Sequence, residues 1–456
     1  MTNLFGMIEL NKRSMFCSKY SLQTANHNIS NVNTPGYSRQ EVMYQANYPT
    51  KTRYGIMGTG VTVSEIRRAN SHFYTDQIRQ EHTLKSDWDA ASTVLSKMEI
   101  IFNEPSDNGM ASVMEEFFQS WNDLASDPSS ESARTSVKES GRMLCQKFHS
   151  MDKSLVELES SINDELAEKA DSLNGLIARV ADLNGQIVRD EGQMVKTAAD
   201  LRDERDRVLE EISRIVSVDV REDQFGSVDL YIDGKNIIHK TEFRELDTYL
   251  DTSADDPDFY VTFRGRKERV DTGRGELASL IESRDGYLTE AKSSLDRIAE
   301  VIITSVNEIH RNGWTPSGSG YDFFEGTDAS DIAIAHAIDD NTSLIACSYD
   351  GTVGDNSLAN DIVSLADQKI SDEESLTINE LYQGTVSAIG IHTRNAGNMV
   401  RNQQLILDNL EMRKESITGV NMDEELMNLS KYQQSYQAAA RVMEVVSGLI
   451  QTVIDM

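Results

Sequence analysis

One Asp-Thr-Gly triplet is the closest approach of this sequence to a catalytic motif. Asp271, Thr272 and Gly273 match the triplet that carries the active-site aspartate of aspartic proteases. The triplet occurs once and directly precedes a predicted helix. A turn followed by a helix N-cap explains it, so we expect no catalytic role.

Histidines and cysteines form no recognisable metal or redox pattern. The 8 histidines include no H-x-x-H or H-E-x-x-H pair. Cys17, Cys145 and Cys347 are far apart and odd in number, which excludes a disulfide framework and the usual zinc patterns. Isolated cysteines are typically small buried hydrophobic residues. Phosphate-binding glycine loops are also absent, so the sequence predicts neither an enzyme nor a cofactor.

The charge balance limits the class of partner. The 44 basic and 75 acidic residues give a net charge of −31, which opposes nucleic-acid binding. No stretch of about 18 apolar residues could span a bilayer, and residues 1–15 lack the apolar core of a cleavable signal peptide. The first 70 residues nevertheless hold eight basic and three acidic side chains, a net charge of +5. A basic N-terminal segment of this kind is expected to bind an acidic surface. The alternative is that the basic residues lie there by chance.

Two predicted helices at the ends of the chain carry the clearest pattern. From Leu4 to Val32, seven of nine positions spaced four and three residues apart are apolar. From Met422 to Ile454, eight of ten such positions are apolar. This heptad spacing is typical of coiled-coil seams. The TPGY segment at 34–37 ends the first helix, because proline cannot extend it and glycine permits the turn.

Between these ends the sequence predicts more long helices and one small sheet. Helical spacing covers about 69–102, 110–127, 131–188, 197–215, 276–311 and 378–418. Alternating apolar residues within 216–270 predict strands, and 37–66 reads as extended chain or short hairpins. We therefore predict a mainly α fold, with a long helical bundle or coiled coil from the N- and C-terminal regions and a small β-containing segment inserted in the middle.

Four parts follow from this pattern. Residues 1–68 with 420–456 form a terminal coiled-coil core domain. Residues 69–215 with 271–312 and 360–419 form a helical, rod-like body. Residues 216–270 form the small β segment, and 313–359 form a short outer loop or subdomain, within which the glycine-rich segment 313–320 is expected to be a loop.

The stability of the terminal helices is a separate question. Burying the apolar side chains of two seams contributes less free energy than ordering about 65 residues costs, and hydrogen bonds narrow the difference only modestly. The arms are therefore predicted to be marginal in the free chain and to gain order against neighbouring copies. The alternative, which periodicity leaves open, is an antiparallel pair packed on the rest of the same chain.

Specific residues at both ends resemble one protein family. The segment NHNISNVNTPGYSRQ at 26–40 resembles the N-terminal signature of bacterial flagellar axial proteins, which include rod, hook and hook-associated proteins. The segment from Gly419 to Ala438 resembles the C-terminal signature of the same family. Interior segments at 117–134, 200–213, 275–285 and 323–333 are similar to the hook-associated branch, which joins hook to filament.

The resemblance implies a non-enzymatic structural subunit with several partners. These would be the hook protein, the other hook-associated protein of the junction, further copies of the chain in a ring of the axial tube, a cytoplasmic chaperone on the C-terminal helix, and the flagellar type III export apparatus. It would act in an external flagellum, or in a periplasmic one if the flagellum is enclosed. A rod or hook subunit is the near alternative, and a secreted adhesin or effector on an axial-protein frame is the distant one.

The predicted assembly residues lie on the two seams and on the turn after the first helix. They are Leu4, Ile8, Met15, Leu22, Ala25, Ile29, Asn31, Val32, Pro35, Gly36, Tyr37, Met422, Leu426, Leu429, Tyr432, Tyr436, Ala440, Met443, Ile450 and Ile454.

Overall fold

Helices form most of the chain. The computed structural model describes residues 2–52, 55–104, 106, 108–193, 198–251, 258–315, 318–369 and 376–455. The predicted mainly α class, with small β segments in the middle, is confirmed. In the described part of the chain, no helix is both long and apolar enough to cross a membrane.

The predicted long helices occur in the predicted order. The bounds of the α-helices are α1 Thr2–Ser30, α2 His72–Phe102, α3 Met110–Ser126, α4 Glu131–Gln193, α5 Ala199–Ile215, α6 Glu276–Glu282, α7 Thr289–Arg311, α8 His336–Asp340, α9 Ser357–Ser364, α10 Ile378–Thr418 and α11 Met422–Ile454. Helices α8 and α9 are short helices that the sequence pattern did not predict.

The strands are short and antiparallel wherever they pair. Their bounds are β1 Gln40–Ala46, β2 Thr50–Thr52, β3 Gly55–Met57, β4 Val61–Arg68, β5 Asp219–Glu222, β6 Val228–Ile232, β7 Lys235–His239, β8 Glu242–Phe243, β9 Leu246–Asp251, β10 Asp258–Phe263, β11 Trp314–Thr315, β12 Gly318–Ser319, β13 Phe324–Glu325 and β14 Ala333–Ile334. Strands β5 to β8 form a four-stranded sheet in sequence order, and the other strands pair in twos.

Two details differ from the predicted elements. The helix expected over 276–311 contains a π-helical turn, Ser283–Leu288, between α6 and α7. Apolar spacing continues on both sides of this turn, so periodicity could not indicate the interruption. The loop expected at 313–320 contains the short β11–β12 hairpin, which is too short to show an alternating pattern.

The chain forms two compact units. The first comprises 1–86, 170–275 and 402–456, and the second comprises 87–169 and 276–401. The predicted four-part organisation stays a prediction.

The first unit contains the terminal helices, α5 and the strands from β1 to β10. Its sheet buries Leu230, Ile232 and Ile238 on one face. Asn184 of α4 holds the start of β6, since its Oδ1 accepts a hydrogen bond from Val228 N at 3.1 Å. The predicted alternation in 216–270 therefore corresponds to a half-buried sheet.

The second unit has an aromatic core. Phe117 and Trp121 of α3 pack against Phe323 and Phe324. His310 lies beside them, with Nδ1 2.7 Å from Tyr321 O and Nε2 accepting from Ala346 N at 3.1 Å. Burial lowers the pKa of His310. The imidazole therefore serves as a neutral structural group.

Candidate assembly site

Helices α1 and α11 pack against each other in antiparallel orientation. Ser18 Oγ lies 3.2 Å from Ser435 Oγ. Beyond the end of α1, Arg39 Nη1 lies 3.3 Å from Glu424 Oε2 at the start of α11. The two terminal helices pair within one chain, whereas the marginal stability of the arms stays a prediction.

The contact face of α1 only half matches the predicted seam. Ala25 is buried, as the heptad spacing predicted. Ser21 and Asn28 are also buried and lie one residue before the predicted Leu22 and Ile29, but they hydrogen-bond Tyr44 and Gln40 of β1. Leu22 and Ile29 are half-buried beside the contact.

Helix α11 departs from its predicted seam in the same way. Glu425, Ala439 and Val446 are its buried residues and lie on one heptad column. The predicted seam instead placed Leu426 and Ile454 at the contact, and these side chains are 50% and 70% exposed.

The composition of the contact explains the difference. Small and polar side chains fill the centre of the helix pair, which allows a close approach of the two backbones. Larger apolar side chains lie at its edges and on its outer face. A hydrophobic period identifies the helix, but here it does not identify the face that touches the partner helix.

The predicted assembly residues therefore fall into three groups. Ala25 is buried, while Pro35, Gly36, Met422, Leu426 and Ile454 are exposed. The half-buried group is Ile8, Met15, Leu22, Ile29, Asn31, Val32, Tyr37, Leu429, Tyr432, Tyr436, Ala440, Met443 and Ile450. The side chain of Leu4 lies outside the described residues.

Sequence reasoning missed a second apolar row on α11. Val442, Val445 and Leu449 are spaced three and four residues apart, lie close to one line along the outer side of the helix and are all exposed. Val445, for example, is 63% exposed. The spacing that could have revealed this row is again a heptad pattern, shifted from the one first chosen.

The turn after α1 is held by Asn28. Its Oδ1 accepts hydrogen bonds from Tyr37 OH at 2.7 Å and from Gln40 N at 2.9 Å. Its Nδ2 donates to Gln40 O at 2.9 Å. Gly36 adopts a φ of +77° in this turn, a value that favours glycine. The asparagine-rich signature is thus a structural clamp on the path of the chain.

A buried carboxylate on α5 fixes the same turn. Asp203 accepts hydrogen bonds from Ser38 N and Ser38 Oγ, both at 2.9 Å, and from Arg68 Nη1 at 2.8 Å. Arg68 Nη1 also lies 2.7 Å from Asp206 Oδ2. Burial raises the pKa of Asp203, and the hydrogen bonds from Ser38 and Arg68 oppose that shift. One side chain therefore ties the start of β1 and the end of β4 to α5.

Three of the segments that carried the resemblance meet at this place. Asn28 and Ser38 come from 26–40, Asp203 from 200–213, and Glu425 from 419–438. Burial raises the pKa of Glu425, and a hydrogen bond with Asn28 opposes the shift. Asn28, Ser38, Asp203 and Glu425 were not among the predicted assembly residues, although each lies in a segment that resembled the family.

The chemistry of this site is that of packing and hydrogen bonding. Within the described ranges, no group of three or more His, Cys, Asp or Glu side chains could hold a metal ion. Asp271 Oδ1 accepts from Gly273 N at 2.8 Å, so the Asp-Thr-Gly triplet forms the predicted turn. Cys17, Cys145 and Cys347 are unpaired and buried, as predicted. Burial raises the pKa of each thiol, that of Cys145 to about 12.

Family comparisons cover both the helical interior and the C-terminal helix. The family model of the flagellar hook-associated protein FlgK helical domain matches residues 95–324, about half of the chain. The model of the flagellar basal body rod FlgEFG protein C-terminal region matches residues 416–456.

Full-length relatives and one solved structure agree with these matches. Flagellar hook-associated protein 1 of Bacillus subtilis (strain 168) is 28% identical over 100% of this chain and 99% of the relative. The protein of the same name from Escherichia coli (strain K12) is 24% identical, over 95% and 96% respectively. The flagellar hook junction protein FlgK from Burkholderia pseudomallei has a similar fold, with a TM-score of 0.64 and 13% identity over 75% of this chain and 100% of that chain.

Proposed function

Because the chain belongs to the family of flagellar hook-associated protein FlgK, we propose that it joins hook to filament as a structural subunit and assembles through its paired terminal helices. The observation that carries the proposed mode of assembly is the row of exposed apolar side chains on the outer side of α11. The proposal keeps the predicted assembly residues and adds this row to them.

The exposed row needs a covering surface. A contiguous apolar patch on a polar protein marks an interaction site more often than a random feature. Helix α1 adds Phe5 and Phe16, which are also exposed. Since the described residues leave these side chains exposed, neighbouring subunits are the surfaces that would cover them. Helix pairs in the tube would therefore contact one another through their outer faces.

The polar clamp supports this mode of assembly. Asn28 and Asp203 fix the turn after α1 through hydrogen bonds of 2.9 Å. Arg39 connects the same turn to α11 through Glu424. The helix pair is thus held to α5 at a defined position, and a fixed presentation of an interface lowers the ordering cost of association.

A rod or hook subunit is the second candidate, because one specific observation favours it. The C-terminal helix matches the rod-family model at 416–456. The interior match at 95–324 is to the helical domain of the hook-associated family. We therefore favour the junction role, with the C-terminal helix as the part that axial proteins share. A secreted adhesin or effector on the same frame has no such observation in its favour.

The partners follow from the proposed position. They are the hook protein, the other hook-associated protein of the junction and further copies of this chain in a ring. Before assembly, we propose that the chain passes the flagellar type III export apparatus after a cytoplasmic chaperone has bound α11. The flagellum would be external, or periplasmic if it is enclosed.

Deletion of the gene tests the role. A junction subunit should leave complete hooks that carry no filaments in electron micrographs of the mutant cells. Loss of the hooks would instead support a rod or hook subunit. Intact filaments would contradict every flagellar role.

A substitution tests the proposed contact surface. Val445→Asp places a charge in the exposed row and should abolish filament growth in a complemented strain, because a buried unpaired carboxylate is costly at an interface. Gln437→Asp adds the same charge at an exposed position on another side of α11 and should restore filaments. Both purified proteins should give the helical circular dichroism of the parent chain. Normal filaments with Val445→Asp would refute the row as an interface.

A further inference from the structure

One carboxylate is buried where α11 packs against α1. We propose that Glu425 is a pH-sensitive switch between the two terminal helices: its ionised form loosens the helix pair, and its protonated form tightens it. The proposal rests on the pairing of α1 with α11 within the chain, and it is independent of the role at the junction.

Glu425 occupies a position that would suit an apolar side chain. It lies on one heptad column of α11 with Ala439 and Val446, and all three residues are buried. The side chain of Glu425 belongs to a residue that is only 5% exposed. Glutamate is almost never buried to this degree unless it is paired. The pairing of this carboxylate therefore decides what it does to the contact.

The cation that faces Glu425 is engaged with two other carboxylates. Arg39 Nη2 lies 3.1 Å from Glu41 Oε1, and its Nη1 lies 3.3 Å from Glu424 Oε2. Among the described side chains, Glu425 forms no ion pair, and it has a hydrogen bond with the neutral amide of Asn28. A buried carboxylate without an ion-pair partner destabilises its surroundings when it is ionised.

A polar cavity of about 220 Å³ lies beside this carboxylate. Ser21, Thr24 and Asn28 of α1 line it, and α1 contributes no charged side chain to the described lining. Arg39 also lines the cavity, and its Nε is buried without a hydrogen-bond partner in the part of the chain that the structure describes. The polar groups at this place are thus incompletely satisfied, which weakens the contact.

The charges around the cavity are mostly negative. Glu41, Glu424 and Glu425 line it, and Arg39 is the only cation in the described lining. Ionisation of all three carboxylates therefore leaves a net negative charge between the helices. Protonation of Glu425 removes the one of these charges that is shielded from water.

The sign of the pH effect follows from this environment. Burial is the main cause of a raised pKa at Glu425, the charges of Glu424 and Glu41 add to it, and Asn28 and Arg39 oppose it. When the pair opens, the carboxyl returns to an ordinary pKa of about 4.3. The closed pair therefore binds a proton more readily than the open pair, and closing is favoured as pH falls through the raised value.

Two tyrosines are the other titratable groups near Glu425. Burial raises the pKa of Tyr37 and of Tyr432 above the ordinary value, and the charge of Glu425 acts in the same direction on both. Both phenols stay neutral between pH 5 and pH 7. A change of the helix pair in this range therefore does not come from them.

Stabilisation of the helix start does not account for the burial. Carboxylates are favourable in the first turn of a helix, and Asp423 and Glu424 of the same turn are exposed. These two residues provide that interaction while they stay in contact with water. The third carboxylate, that of Glu425, faces inwards and is the one that makes the pair sensitive to pH.

Hydrogen exchange of the full-length free chain between pH 7 and pH 5 tests the switch. Each amide rate is divided by its intrinsic rate at the same pH, which gives a protection factor. Protection in 5–30 and 422–454 of the parent chain should rise as pH falls. Protection in 144–187 should not rise, because acid destabilises the fold as a whole through buried histidines such as His310, whose pKa is lowered.

Glu425→Gln removes the charge and keeps the shape of the side chain, and its amide oxygen can still accept a hydrogen bond from Asn28. Protection of both terminal helices at pH 7 should increase by about fivefold, and the rise in acid should disappear. Glu444→Gln makes the same change at an exposed position of α11 and should behave as the parent chain does.

Two results would overturn the proposal. One is a parent chain whose terminal helices keep the same protection, or lose protection, between pH 7 and pH 5. This result needs no variant, so it decides the question even if Glu425→Gln fails to fold. The other is a folded Glu425→Gln chain, with parent-like protection in 144–187, whose terminal helices exchange at pH 7 as fast as those of the parent or faster.

Discussion

Asp203 is the residue whose environment most clearly sets the position of the N-terminal segment. Three hydrogen bonds from Ser38 and Arg68 converge on its buried carboxylate. A buried acceptor loses its solvation on folding, so these donors must be present for the site to be stable.

We expect Asp203→Asn to loosen β1 and β4. The amide keeps the size of the side chain but removes the negative charge that Arg68 contacts, at an expected loss of about 2 kcal/mol. Hydrogen exchange should become faster in 40–46 and 61–68. Asp171→Asn is the matched control, because the Asp171 side chain is exposed on α4. If the amides of 40–46 and 61–68 exchanged equally fast in both variants, the hydrogen bonds of Asp203 would not be what holds β1 and β4.

His82 makes the folded state sensitive to mild acid. Burial lowers its pKa to about 4, and the nearby Arg214 charge acts in the same direction. In the unfolded chain the histidine has a pKa of about 6.5. Between about pH 6.5 and about pH 4 the unfolded state therefore binds a proton at His82 more readily than the folded state does. Stability should therefore fall as pH drops from about 6.5 towards 4, by an amount of the order of 2 kcal/mol.

The test of this pH dependence is a pair of histidine variants on α2. His82→Gln should make the fall of the unfolding midpoint between pH 7 and pH 4.5 smaller, while the buried His310 still contributes the rest. His72→Gln removes an exposed histidine of the same helix and should leave the parent profile unchanged. A parent-like profile for His82→Gln would assign the acid sensitivity to other groups.

At the residue scale, local patterns could be predicted and distant partners could not. The Asp-Thr-Gly turn and the buried cysteines follow from neighbouring residues and residue type. The bond between Asn28 and Gln40 and the ion pair between Arg68 and Asp203 join residues 12 and 135 positions apart. Nothing in the spacing of either pair indicates its partner, because such contacts depend on the tertiary fold.

At the scale of elements, the small residues between α1 and α11 control how closely the helices approach. Ala25 is only 2% exposed at this contact. Ala25→Leu would force a larger side chain into a filled position, at a typical loss of about 1–3 kcal/mol. Limited proteolysis should then cleave α1 and α11 sooner than in the parent chain.

Gln23→Leu is the matched control for this substitution. Gln23 lies on the exposed side of α1, so the same leucine there meets no packed neighbour. The control should be cleaved at the parent rate. If Ala25→Leu were as resistant as the control, the close contact between the helices would not be the source of their stability.

The elements themselves were predictable, and their contacts were only partly so. Caps, prolines and apolar periods predicted the helices of both ends to within a few residues. The period did not reveal that the polar Ser21 and Asn28 are buried while the apolar Leu22 and Ile29 are only half-buried. Hydrophobicity ranks residues by transfer to an apolar environment, whereas this contact is built from small and hydrogen-bonding residues.

At the scale of the whole molecule, the terminal helices and the remaining helices differ in how well they are buried. Helix α4 buries a long apolar column that includes Leu155, Ile162, Leu173 and Ile187. The buried residues of α11 are Glu425, Ala439 and Val446. Local stability follows buried apolar contact, so the two ends of the chain should open at a lower free energy than the interior.

Hydrogen exchange of the monomer at low concentration measures this difference directly. Amides in 5–30 and 422–454 should exchange far sooner than those in 144–187, because opening the terminal pair exposes few apolar side chains. Assembly into a filament-bearing junction should slow exchange in both terminal helices and leave 144–187 unchanged, since neighbouring subunits would cover the outer row. Terminal helices protected as strongly as α4 in the monomer would show that they need no neighbours, and the exposed row would then lose its role in ordering the ends of the chain.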